Sequence, residues 1–142
     1  MNTTAVSMRL RSYPSGVRFA LVVYALAFAI GTCVHATILL HMWGPPPHPV
    51  SQSLVYGYDT LAVFDPLVIV LLLRAPRAGL LLALAIMLAD VGVHAVAAYM
   101  YFQPPVGWYA TDYGAQANGV FLGFVLGSAP FLWPYLGRKD AL

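Results

Sequence analysis

The sequence contains no glutamate, a single cysteine and few charged residues of either sign. Charged side chains make up 8% of the 142 residues, whereas soluble domains carry roughly 25%. Hydrophobic residues account for 61% of the chain, and a protein this short cannot hide so much apolar surface in one water-soluble core. The scarcity of charge therefore excludes an ordinary soluble domain, and we expect lipid to be the solvent of this chain.

Other absences narrow the chemistry. The single cysteine, Cys33, excludes an intrachain disulfide and a C-x-x-C redox pair. The sequence also lacks a phosphate-binding loop, a Ser-His-Asp arrangement and a basic surface for nucleic acid. The sequence therefore argues against thiol oxidoreductase chemistry, and we expect no nucleic-acid partner.

Long hydrophobic runs are the main feature that is present. Four of them reach the length of about 20 helical residues that crosses a hydrocarbon core, and they cover about residues 17–43, 54–73, 78–102 and 115–136. Helices are expected because backbone groups in lipid must be satisfied within each segment. The sequence thus predicts an all-α polytopic membrane protein, a single domain over residues 1–142 that forms an antiparallel four-transmembrane-helix bundle.

The basic residues predict the orientation, since Lys and Arg are retained on the cytoplasmic side of a membrane. In a four-pass topology all seven of them lie on one side: Arg9, Arg11, Arg18, Arg74, Arg77, Arg138 and Lys139. The two opposite loops, residues 44–53 and 103–114, contain none. We therefore expect both termini in the cytoplasm, and the composition, rich in Ala and Leu without Glu, favours a bacterial inner membrane.

Proline and glycine mark two further features. The segment "VFDPLVIV" predicts a kink or break near Phe64 to Pro66, because proline lacks a backbone donor and disfavours helical geometry in the preceding residue. In the fourth run, Gly119, Gly123 and Gly127 form a G-x-x-x-G-x-x-x-G series that lets another helix approach closely. This series predicts a homodimer or a larger membrane complex.

Five ionisable residues are expected in the outer half of the membrane: Asp59, Asp65, Asp90, His35 and His94. At a rise of about 1.5 Å per residue, Asp65 and Asp90 fall near the midplane, with His94 about 6 Å and Asp59 about 9 Å further out. A central Asp costs about 2.5 to 3.5 kcal/mol on insertion scales, so such residues are functional candidates. Asp90 and His94 share a helix face at i and i+4 and can hold one proton between them.

Structural explanations stand beside this interpretation. Asp65 before Pro66 has the residue types of an N-cap for a restarted helix. His35 and His94 would also be satisfied by backbone carbonyls or by Thr32, and Asp59 by water at the interface. The acids and histidines suit metal ions, but they lack a diagnostic spacing such as H-E-x-x-H. We therefore predict neither a metal, a haem nor another cofactor.

The sequence combines four predicted helices with cytoplasmic ends, the acids of "YDTLAVFDPL", polar groups in the third helix and "APFLWP" in the fourth. This combination resembles the EXPERA superfamily of emopamil-binding sterol isomerases and sigma-2-type receptors. It implies a cavity that opens sideways to lipid and whose acids move protons on a sterol or pair with an amine. By position, these acids would be Asp59, Asp65 and Asp90, with His94 and His35 as partners.

Three functions are compatible with these residues. The first is a pocket for a small lipophilic or cationic ligand, in which Asp90, His94 and Asp59 transfer protons and His35, Asp65 and Asn118 bind the ligand; any catalysis would be cofactor-free acid/base chemistry. The second is a proton-coupled transporter that works as a homodimer. The third is a non-catalytic subunit, assembly factor or immunity protein of a membrane complex.

Overall fold

The computed structural model describes residues 12–40, 52–102 and 112–137, which form four helices. Helix α1 is Ser15–Leu39, α2 is Gln52–Arg74, α3 is Pro76–Ala97 and α4 is Tyr113–Leu136. A π-helical turn, Ala98–Phe102, continues α3. Each predicted apolar run overlaps one of these helices, and the prediction of an all-helical chain is confirmed over the described residues.

Helices α1 and α4 run in opposite directions, as two contacts between them show. The hydroxyl of Tyr24 donates to the carbonyl oxygen of Val125 at 3.2 Å. One turn further along α1, Phe28 packs edge-to-face on Phe121, with ring centroids 5.6 Å apart. Four residues forward in α1 therefore correspond to four residues backward in α4, which establishes the antiparallel pairing.

The same reasoning orders the other helices. Arg77 at the start of α3 lies over the ring of Trp133 near the end of α4, whereas Asp90 later in α3 accepts from Asn118 early in α4. Only Ala75 separates α2 from α3, so these two helices form a hairpin. The bundle therefore alternates in direction from helix to helix, and the first and last helices complete it side by side.

This alternation gathers three features at one end of the bundle: the start of α1, the turn between α2 and α3, and the end of α4. The basic residues of the described chain, Arg18, Arg74 and Arg77, all belong to this end. The other four basic residues lie outside the described residues. Over the described residues, the basic side chains thus lie at one end of the bundle, as the sequence predicts.

The outer surface of the bundle is apolar. Three stretches of helix, Ser15–Thr37, Pro76–Met100 and Tyr113–Leu136, are long and apolar enough to cross a membrane by length and composition. They expose large hydrophobic side chains, which include Phe19, Val22, Leu26, Ile30, Leu81, Leu88, Val96 and Val120. Soluble monomers rarely expose contiguous apolar patches of more than a few hundred Å², so this surface is compatible with an integral membrane protein.

Helix α2 corrects one expectation from the sequence. It continues without interruption from Gln52 to Arg74 with Pro66 inside it. Of the predicted kink or break at Phe64 to Pro66, the break is therefore wrong and the kink stays a prediction, and Asp65 does not cap a restarted helix. The neighbouring helices hold α2 on both sides, which outweighs the loss of one backbone hydrogen bond at proline. The predicted span of α2 stays a prediction, because side chains are described only over residues 60–74, fewer than a span of about 20 residues requires.

The last two glycines of the α4 series, Gly123 and Gly127, face no other described residue. A Cβ atom built at Gly123 or Gly127 would meet no described atom within 4 Å. Within the described residues, these glycines therefore do not serve the packing of this bundle. Their predicted role in contacts with a second chain stays a prediction.

The hairpin between α2 and α3 depends on Gly79. A Cβ atom at this position would lie 2.5 Å from the backbone nitrogen of Leu72 and 2.8 Å from the carbonyl carbon of Leu71. These neighbours are backbone atoms of α2, which cannot move without displacing the helix. The two helices approach this closely because residue 79 has no side chain.

We expect Gly79→Ala to lower the free energy of unfolding by about 1–3 kcal/mol, the usual cost of forcing atoms into a packed site. Gly92→Ala in the same helix is the matched control, since its Cβ would meet nothing within 4 Å; it should stay within about 1 kcal/mol of the parent, the size of the helix-propensity gain. Thermal unfolding of both variants in the same detergent measures the difference. Equal Tm values for the two variants would contradict the close approach at Gly79.

Candidate functional site

Each of the four helices contributes one polar side chain to the interior of the bundle. We refer to His35 of α1, Asp65 of α2, Asp90 of α3 and Asn118 of α4 as the polar cluster. Asp65 is only 3% exposed and Asp90 only 7% exposed. They are the buried charged residues of the described chain, and removing a carboxylate from water costs several kcal/mol unless it is protonated or paired.

The carboxyl of Asp65 is directed at α1. Its Oδ2 atom lies 3.9 Å from Nε2 of His35. A Cβ atom at Gly31, one turn before His35, would lie 2.6 Å from the same Oδ2 atom. The spacing Gly31-x-x-x-His35 puts both residues on one face of α1. The glycine leaves the space that the carboxyl occupies, and the imidazole of His35 lies opposite that carboxyl.

Asp90 is held from the other side of the bundle. Its Oδ2 atom accepts a hydrogen bond of 2.9 Å from the amide nitrogen of Asn118. Its Oδ1 atom is buried and has no hydrogen-bond partner among the described residues. The carboxyl also lies within electrostatic range of Asp65, His35 and His94. Asp90 is therefore the member of the cluster that connects electrostatically to all the others and keeps one oxygen available for a further donor.

His94 has an ionic partner that the sequence reasoning did not name. Its Nε2 atom lies 3.6 Å from Oδ2 of Asp112. The other carboxyl oxygen of Asp112 accepts from the backbone nitrogen of Ala115 at 2.9 Å and so caps the start of α4. The predicted sharing of a proton between Asp90 and His94 stays a prediction. The π-helical turn Ala98–Phe102 follows His94 in the chain, and such turns are often found at functional sites.

The remaining candidate, Asp59, lies in α2, but its side chain lies outside the described residues. The structure therefore brings together His35, Asp65, Asp90 and Asn118, with His94 and Asp112 at the outer side of this group. Among the residues that the structure describes, no three His, Cys, Asp or Glu side chains converge in a way that would hold a metal ion.

An apolar groove between α2 and α3 reaches the polar cluster at Asp90. Its volume is about 340 Å³ and it opens on the surface of the bundle. The side chains that line it are Thr60, Leu61, Phe64, Leu82, Ala85, Ile86, Ala89, Asp90 and Val93. From Leu82 to Val93 the groove extends about 16 Å along α3, at about 1.5 Å per residue. Asp90 lies near one end of it and is the ionisable residue of the lining.

Sequence reasoning missed three parts of this site. Asp112 could have been found, because an Asp just before a long apolar run has the residue type of an N-cap. Gly31 could have been suspected from its position one turn before His35. The groove could not have been found, because its lining depends on which faces of α2 and α3 meet.

No family model, characterised protein or solved structure matches this chain. The described residues therefore define a class only in physical terms: a helical bundle in which three helices are long and apolar enough to cross a membrane, with a buried polar cluster and a groove that meets it. The resemblance to the EXPERA superfamily stays a prediction.

The hydrogen bond between Asn118 and Asp90 gives a test of the cluster. Asn118→Leu leaves the buried Asp90 carboxyl without its amide donor, and we expect a loss of about 1–3 kcal/mol in the free energy of unfolding. Asp90→Leu combined with Asn118→Leu removes both partners and should recover most of that loss. Thermal unfolding of the parent, the two single variants and the double variant gives the coupling energy. Strictly additive effects would show that the two side chains do not interact.

Proposed function

We propose that this chain is an integral membrane protein that binds a small lipophilic amine in the groove between α2 and α3. The observation that carries the proposal is the position of Asp90, a buried carboxyl in the lining of a groove whose other side chains are apolar apart from Thr60. An apolar wall with one acid is complementary to a ligand with a hydrocarbon body and one cationic group. The polar cluster behind Asp90 is the proposed site of any proton transfer to or from the ligand.

The dimensions support a ligand of this kind. A volume of about 340 Å³ lies at the lower end of the range of about 300–1,000 Å³ for small-molecule sites. The groove opens at the surface of the bundle, and a lipophilic ligand would enter it from surrounding acyl chains without crossing water. The ammonium group would approach the carboxyl of Asp90, whose buried Oδ1 atom accepts no hydrogen bond from the described residues. The resemblance to the EXPERA superfamily implies the same kind of lateral cavity.

The proposed chemistry assigns different parts to the polar residues. Asp90 contacts the ligand and supplies the counter-charge. Asn118 orients the Asp90 carboxyl through its amide. Asp65 and His35 form the ionic pair behind it, and His94 is the second imidazole within electrostatic range of Asp90. If the ligand is also a substrate, acid/base chemistry would proceed between Asp90 and one of these imidazoles.

We also propose a four-pass topology in which both termini lie in the cytoplasm of a bacterial cell and the chain resides in the inner membrane. Three helices of sufficient length and apolarity support the membrane location. The location of Arg18, Arg74 and Arg77 at one end of the bundle supports the orientation, because basic residues are retained on the cytoplasmic side.

Decylamine, a primary amine with an alkyl chain, is a suitable probe of the groove. The full chain in lipid nanodiscs should bind it above the partitioning measured with empty nanodiscs, and Asp90→Asn should weaken binding at least about tenfold because it removes the counter-charge. Ala89→Leu, which fills the groove, should weaken binding as well. Isothermal titration calorimetry measures both effects.

Two variants serve as controls for this experiment. Asp140→Asn makes the same chemical change as Asp90→Asn at an acid that follows α4 in the sequence. Ala95→Leu adds the same side chain as Ala89→Leu at an exposed position of α3 outside the lining. Both should bind decylamine like the parent. Unchanged binding by folded Asp90→Asn would refute the proposed site.

The topology is tested with fusions to the C-terminus of the full chain in a bacterial host. A green fluorescent protein fusion should fluoresce, because that protein folds in the cytoplasm, and an alkaline phosphatase fusion should be inactive, because that enzyme needs export. The same two fusions in the loop of residues 103–111 should behave in the opposite way. Phosphatase activity of the C-terminal fusion would contradict the proposed orientation.

A further inference from the structure

Asp90 belongs to the groove and to the polar cluster at the same time. In the groove it is the ionisable residue of an apolar lining. In the cluster it receives a hydrogen bond from Asn118 and lies within electrostatic range of a second buried acid, Asp65. A cation that enters the groove therefore changes the charge that the whole cluster must accommodate.

The groups that face this carboxyl come from every helix of the bundle. Asp65 approaches from α2 and is paired with His35 of α1. His94 lies one turn away on α3 itself, and its own ionic partner is Asp112 at the start of α4. The amide of Asn118, also on α4, is neutral. The side chain of Asp59 lies outside the described residues.

Two buried acids in one low-dielectric cluster cannot both keep an uncompensated charge. Protons on the carboxyls or on the imidazoles can provide the compensation. An ammonium group beside Asp90 would provide it as well, and the cluster would then hold one positive charge too many. The net charge of the site is the same before and after binding only if a proton leaves as the amine arrives.

We propose, on the basis of the amine site proposed above, that a lipophilic amine and a proton compete for the polar cluster, so that binding of one amine at Asp90 releases about one proton. In this exchange the O–H bond of a carboxyl, or the N–H bond of an imidazolium that compensates it, breaks. The proton goes to bulk water, and the carboxylate pairs with the ammonium group of the ligand. No electron is transferred.

The exchange has a measurable consequence for affinity. Where the cluster holds the exchangeable proton, the affinity for the amine rises about tenfold for each unit of increasing pH, because one proton is lost per amine bound. Above that range the affinity becomes independent of pH. The amine itself does not contribute, because a primary alkylamine resembles the lysine ammonium with a pKa of about 10.4 and stays charged between pH 6 and 8.

The experiment is calorimetric titration of the full chain in lipid nanodiscs with decylamine, in phosphate and in Tris at the same pH. The two buffers differ in their enthalpy of protonation, so the difference in heat gives the number of protons released per amine. We expect about one proton at a pH where affinity still rises with pH. Titrations at pH 6, 7 and 8 give the slope of the affinity.

Asp65→Asn gives an independent measure, since it removes the second buried acid within electrostatic range of Asp90 without changing the shape of the side chain. We expect its affinity at pH 6 to be several-fold higher than that of the parent, while proton release persists wherever the affinity still depends on pH. A structural role of Asp65 alone would alter Tm and leave the pH profile in place.

The outcomes separate this inference from the function on which it rests. Binding that depends on Asp90, with equal heats in the two buffers and flat affinity from pH 6 to 8, would overturn the exchange and leave the amine site intact. The absence of any binding that depends on Asp90 would overturn the amine site and the exchange together.

Discussion

The burial of two carboxyl groups is the electrostatic constraint on which the interior of this bundle depends. Asp65 and Asp90 are almost completely removed from solvent, and an uncompensated carboxylate in such a place would cost several kcal/mol, a large part of the stability of a small domain. Polar groups from other helices lie beside both acids. His35 of α1 approaches Asp65, and Asn118 of α4 donates to Asp90. Each acid thus has a polar neighbour on a helix other than its own.

Apolar packing gives these polar groups their positions. Tyr24 and Phe28 of α1 meet Phe121 and Phe124 of α4 in an aromatic cluster, and the Tyr24 hydroxyl reaches the backbone of α4 as well. This contact closes the ring of helices around the polar cluster. Within that ring, Gly31 makes room for the Asp65 carboxyl against α1. The polar interactions are therefore specific because glycines and aromatic rings set the distances between the helices.

The groove between α2 and α3 connects one of the two buried acids to the surface of the bundle. A fully packed interface between α2 and α3 would isolate Asp90 from the outside of the bundle. The small side chains Ala85 and Ala89 instead leave an apolar space that leads from the surface to the acid. A buried carboxyl beside such a space is the feature on which the proposed amine site and its proposed coupling to a proton rest.

The sequence by itself determined the number and type of the helices, because long apolar runs almost without charge admit little else. It also singled out His35, Asp65, Asp90 and Asn118, since polar residues inside apolar runs are costly and conspicuous. Only the tertiary structure decided their partners: Asp65 with His35, Asp90 with Asn118, and His94 with Asp112. It also decided that α2 continues through Pro66 and that a groove between α2 and α3 reaches Asp90. The periodicity of a helix gives the face on which a residue lies, whereas partners and grooves depend on the rotation and approach of neighbouring helices, which side chains distant in the chain set together.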